Sequence, residues 1–209
     1  MSRTPRSRFF TALAAGGFAA LILSQAVQAQ DGQRIRVRGA IESLNGDTLV
    51  VKTREGSDAT ITLKAGWKVG GIKKASVEDI KPGDFVGVAS LPKGSGPDGA
   101  IEVLIFPASM KGTGEGNGPW DAQPNSQMTN ATVSNAVKSV DGHTITLTYQ
   151  GKEKTITISD GTPIVTLAPA AKDDLKAGAG VIVTGEKAED GSISASQVAV
   201  GLNGITPPM

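Results

Sequence analysis

With one histidine, no cysteine, and 20 aspartates and glutamates among 209 residues, the chain has a narrow chemical repertoire. His143 stands in the turn Asp141-Gly142-His143. A zinc or copper site gathers several imidazole or thiolate ligands around one ion, and a single turn histidine cannot supply them. No metal site and no cofactor is expected. Calcium needs several oxygens converging from one loop. Asp58, Asp98, Asp173, Asp174 and Asp190 are scattered, and no D-x-[DN]-x-[DN]-G loop occurs. No serine lies in the G-x-S-x-G elbow of an acyl-transfer enzyme. Two carboxylates meeting in space could do hydrolytic work, but no spacing singles out a pair. Gly94-Ser95-Gly96-Pro97-Asp98-Gly99 matches a dinucleotide fingerprint by letter only. That fingerprint needs a strand before it and a helix opening at its end. Here a strand follows, and Pro97 sits inside.

The elements that would position any site begin after residue 29. Arg3, Arg6 and Arg8 form a positive leader, Phe9 to Leu23 an apolar run, and Val27-Gln28-Ala29 a small-residue cleavage signal. At 15 residues the run falls short of the ~20 a membrane span requires. Residues 1–29 therefore read as a signal peptide. The expectation is an exported, periplasmic protein beginning at Gln30, with no membrane span after cleavage. Removing the leader takes away three arginines and no acid, which turns the formal charge from +1 to −2. Such a chain carries no electrostatic footprint for nucleic acid. Its aromatics are Trp67, Phe85, Phe106, Trp120 and Tyr149, too sparse for a base-stacking groove. Without disulfides, the cores must be built from Val, Ile and Leu.

From Ile35 the residues alternate apolar and polar, the period of a half-buried strand. Asn45-Gly46 supplies a hairpin turn. Ser76 with Asp79 reads as a capped helical turn that stops at Pro82-Gly83. The second half repeats this plan. SLNGDTLVV (43–51) matches SVDGHTITL (139–147), and VEDIKPG (77–83) matches KDDLKAG (172–178), at offsets of 96 and 95. Gly46 and Gly142 are expected in equivalent hairpin turns. A period this long exceeds solenoid units, so each copy reads as a domain. The expectation is an all-β chain of two tandem small barrels related by internal duplication, each with a short helical turn. Their bounds are 30–106 and 130–203, with a C-terminal tail at 204–209.

The pattern Val37-x-Gly39-x-Ile41-x-Ser43, Gly46-x-Thr48-Leu49-x-Val51 and Asp98-Gly99-x-Ile101, repeated in the second half, resembles a family of secreted bacterial OB-like barrels catalogued as a domain of unknown function. The segment GTGEG…PWD…PNS and the ending TPPM resemble short proteobacterial exported proteins of this kind, some of them labelled metal-transporter permeases. A permease needs several apolar spans, and the mature chain has none.

Residues 107–129 join the halves. Four glycines at alternate positions, Gly112 to Gly118, precede Pro119-Trp120-Asp121 and Pro124-Asn125. Residues that fix turns, with a large indole among them, predict an ordered segment rather than a flexible tether. Glu115, Trp120, Asp121 and Asn125 are the candidate ligand-binding residues, and no catalytic residue is assigned. The leading expectation is a non-catalytic binding or scaffolding module of the cell envelope, its partner a protein, peptide or glycan. An envelope enzyme using carboxylates near the linker, and an accessory protein of a metal transport system, are the alternatives.

Overall fold

The computed structural model describes residues 32–139 and 142–208, so the leader expected at 1–29 lies outside the described residues. Alternation sets the faces of the first strand, β1 (Gln33–Asn45). Val37 and Ile41 are buried, while Arg36 and Arg38 lie on the opposite face. The strands β2 (Thr48–Thr53), β3 (Asp58–Lys74), β4 (Phe85–Leu91) and β5 (Asp98–Ile105) follow. The linker contributes β6 (Gly116–Pro119). Then come β7 (Gln127–Ser139), β8 (Gly142–Tyr149), β9 (Lys152–Ile158), β10 (Ile164–Pro169), β11 (Gly180–Lys187) and β12 (Ile193–Gly201). Two 3-10 turns, 77–79 and 172–174, lie before β4 and β11. The protein is all-β, and among the described residues no helix is long and apolar enough to cross a membrane.

Pairing of β1 with β2 and β11, β2 with β3, and β11 with β12 is closed by β12 against β3, giving a five-stranded barrel. A second ring runs β7–β8–β9–β5–β4 and back to β7. It closes where Asp98 and Gly99 meet Ile156 and Thr157. Each ring takes three strands from one half of the chain and two from the other, so the boundaries expected at 30–106 and 130–203 cut across both. β10 pairs with β3 on one side and β5 on the other, joining the rings in one sheet.

The same local devices appear in both rings. Gly178 N–H donates to Ile41 O and Ile41 N–H to Ala179 O, at 2.8 and 2.9 Å; Gly83, Val133 and Asp84 make the matching pair, both at 2.8 Å. Asp79 accepts the Ser76 N–H, and Asp174 accepts the Ala171 N–H, each at 2.8 Å. The expected turn at Ser76 is present as a 3-10 turn in which Asp79 Oδ2 accepts from both the Ser76 N–H and its hydroxyl, while the Asp79 N–H donates to Ser76 O. Between the rings, Ile72 of β3 lies opposite Leu167 of β10.

The hairpin glycines differ in position. Gly46 sits in the loop between β1 and β2 with φ 60°, whereas Gly142 is the first residue of β8, paired with Ser139, with φ 118°. The β7–β8 ladder runs five pairs beyond its bulge, from Asn135↔Thr146 to Ser139↔Gly142, against three in β1–β2, so Gly142 falls within the pairing where Gly46 falls beyond it. The second half of β3, and β10, escape simple alternation. Gly66 and Gly161, with φ 76° and 83°, break the period by bending the chain at equivalent points.

Three apolar clusters result. Val37, Ile41, Leu49, Val51, Ile61 and Val183 are among those filling the first ring. Val86, Val88, Val133, Ile145, Leu147 and Ile156 help fill the second. Each such side chain contributes ~1.5–3 kcal/mol on burial, which is how a chain without disulfides holds together. The third cluster lies between the rings: Ile72, Leu104, Val165 and Ile182, with Phe106, Leu167 and Ala199 against them. Leu104 follows Val103, and Ile182 lies between Val181 and Val183, so this cluster occupies the faces turned away from the two interiors.

Candidate functional site

Over this third cluster opens a cleft of about 520 Å³. Ile72, Leu104, Leu167 and Ile182 line it from the strands, Phe106 from the residue after β5, and Met110 and Trp120 from the linker. Its polar lining comes from Arg36, Lys68, Thr184 and Gln197. Apolar walls with a few polar groups are the usual make-up of a small-molecule site.

The linker reaches the cleft because it is ordered along its length. A 3-10 turn covers Ala108–Met110, and β6 pairs with β7 from Gly116↔Asn130 to Pro119↔Gln127. Trp120 N–H donates to Ser126 O at 2.8 Å. The buried Ser126 hydroxyl lies 3.0 Å from Trp120 O and 2.7 Å from Gln123 O. Asn125, at φ 64°, reverses the chain into that knot, a conformation asparagine tolerates better than most residues.

Trp120 then meets β1. The Arg36 guanidinium lies 4.1 Å from its ring centroid, a cation–π contact. Asp121 accepts from Arg38 Nη2 at 2.7 Å and from Arg36 Nη1 at 3.3 Å. Burial pushes the Asp121 carboxyl up, but the hydrogen bond and charge of Arg38, followed by those of Arg36, outweigh it and hold it below its ordinary value. Glu102 on β5 is 2% exposed. Burial pushes its carboxyl up to about 8, against the pull of Arg38 and Arg54. Glu102 Oε1, Arg38 Nε and Trp120 Nε1 are buried without a hydrogen-bond partner.

Of the four residues singled out in the sequence, Trp120 and Asp121 come together with Arg36 and Arg38 beside the cleft. Glu115 turns elsewhere, accepting the Gln150 N–H at 2.8 Å. It lines a shallower groove along β6, which Trp120 also borders. Asn125 serves the turn. Sequence reasoning missed Arg36, Lys68, Leu104, Phe106, Met110 and Ile182. Only the alternating Arg34-x-Arg36-x-Arg38 signalled a charged face on β1; nothing local showed what that face meets. Among the described residues no group of three or more His, Asp or Glu is placed to hold a metal ion. No family model matches the chain, and no curated protein or solved structure matches it.

Proposed function

We propose that the protein is a non-catalytic binding module of the cell envelope, and that the cleft between the rings takes an apolar ligand with an anionic head. The observation that carries this reading is the cleft itself: a wall of aliphatic and aromatic side chains with Arg36 and Lys68 among its few polar residues. Apolar burial would supply affinity, and the cations would orient the head group. The linker carboxylates support binding over catalysis. Asp121 is held by two guanidinium groups and Glu115 by a backbone N–H, so both act as structural acceptors.

The reading includes a leader at 1–29, cleavage before Gln30 and delivery to the periplasm, as the leader's charge and length pattern suggests. It includes kinship with the exported OB-like barrels. It also treats the two rings as copies of one ancestral unit that exchanged their last two strands. The recurring hydrogen bonds at Ile41 and Val133, and the Ile72–Leu167 pairing, support that history.

Titration of the mature chain with dodecanoate tests the function. Saturable binding that shifts Trp120 fluorescence, and that weakens about tenfold or more in Lys68→Glu, is expected. Equal binding of dodecanoate and dodecanol, or no binding to the wild-type chain, would refute the anionic-head reading. Mass spectrometry of the exported protein with residues 1–29 retained would refute the leader.

A further inference from the structure

Trp67, 6% exposed, belongs to the core of the first ring. It follows Gly66, where β3 bends. Its indole N–H donates to Asp47 Oδ1 at 3.2 Å, and the Lys172 ammonium sits 4.3 Å from the ring centroid. The second ring makes the same bend with different side chains. Gly161 takes the place of Gly66, and Thr162 follows it where Trp67 would stand. His143 pairs with Ile158, as Asp47 accepts the Leu63 N–H in the first ring. Val77, in the 3-10 turn 77–79, corresponds to Lys172 in the turn 172–174.

Thr162, His143 and Val77 all line one cavity of about 510 Å³, with Ile158 and Ile164 among its apolar walls. The space that an indole fills in one ring is thus walled, in the other, by a residue too small to fill it. We propose that this cavity binds a small molecule carrying a flat bicyclic aromatic ring of indole size, seated in the second ring as Trp67 is seated in the first. The aliphatic walls reward burial of such a ring. His143 offers an imidazole nitrogen to accept a ring N–H, the task Asp47 performs for Trp67. The volume lies within the range of ligand pockets, ~300–1,000 Å³, which leaves room for a substituent on the ring. This site is separate from the cleft between the rings, and its test does not depend on what that cleft binds.

The full mature chain, labelled with ¹⁵N, is titrated with indole and followed by NMR. Saturable shifts centred on Thr162, His143 and Val77 are expected. Thr162→Trp supplies the ring from the chain itself, so it should weaken indole binding about tenfold or more and raise the melting temperature. Thr162→Leu is a smaller fill that should weaken binding less. No saturable shift at the three residues, shifts centred instead on Leu104 and Ile182, or a folded Thr162→Trp that binds indole like the wild type would each overturn the proposal. The mapping uses the unaltered chain, so it decides the matter even if Thr162→Trp does not fold. Binding of a tryptophan-containing peptide at these residues without binding of indole would also overturn it, in favour of a protein partner.

Discussion

Glu102 links one side chain to the stability of the protein. Its folded-state carboxyl, at about 8, lies above the ordinary value of 4.5. The folded state therefore keeps a proton that the unfolded chain has already lost within that window. The contribution is fully present below 4.5 and is lost as pH rises to about 8, at about 1.4 kcal/mol per unit of difference, a few kcal/mol in all. Glu102→Gln removes the titration. It should melt higher than wild type near pH ~9 and closer to it near pH ~5, as thermal unfolding at the two pH values would show. A wild-type melting temperature that does not fall over this range would contradict the assignment. Trp120 makes a different kind of prediction. Trp120→Ala should cost about 2–3 kcal/mol and speed proteolysis between Met110 and Met128, because the indole ties the linker to β1. An unchanged cleavage rate would argue against that anchoring. Trp120 was legible in the sequence as an anchor among turn residues. Glu102 was not: in GAIEVLIF it reads as a solvent-facing position of an alternating strand. Alternation tells which face a residue takes, not whether another part of the fold covers that face.

Among the elements, the strands with clean alternation and the turns with distinctive chemistry were legible. Asn45-Gly46 and the Ser76–Asp79 pair announced themselves. The second 3-10 turn offered half the signal, since Ala171 has no side-chain acceptor and only Asp174 reaches back. The continuation of β3 past Gly66, and β10, were hidden because one bend shifts every later residue to the other face. The closure of the second ring also depends on long-range partners. Near Asp98–Ile156, Lys154 on β9 pairs with Asp98 at 2.9 Å and donates to Asn117 Oδ1 of β6 at 3.0 Å. In the first ring the corresponding stretch, Ile193 to Ala195 against Ile61 to Leu63, is largely apolar. Lys154→Met should therefore cost about 1–3 kcal/mol. Hydrogen exchange should quicken at Gly99 and Thr157 while Ala195 stays protected. Equal acceleration in both rings would show that the ion pair is not specific to this closure.

For the whole molecule, similar strand patterns in the two halves were visible in the sequence but the choice of partners was not. Equivalent strands present the same alternation and similar edges, so pairing within a half and pairing across halves look alike in the sequence. Each ring as observed needs both halves: β1, β2 and β3 with β11 and β12, and β7, β8 and β9 with β4 and β5. Cutting the linker in the folded protein should leave residues 32–106 and 127–208 associated on a sizing column under native conditions. Expressed separately, neither fragment should give the dispersed amide spectrum of a folded monomer, whereas mixing the two during refolding should restore it. A folded monomeric 32–106 would show that the exchanged arrangement is not required.

The pairing of early with late strands also sets a clock on synthesis. The first ring cannot close until Gly201 has been made, although β3 ends at Lys74. At ~5–20 residues per second, that interval is roughly ten seconds. Throughout it β1 lacks β11 and β3 lacks β12, so the β1–β2–β3 meander stays an open sheet. The strands that shut the first ring, β11 and β12, are thus the last to be made, and its closure is the final step that synthesis permits.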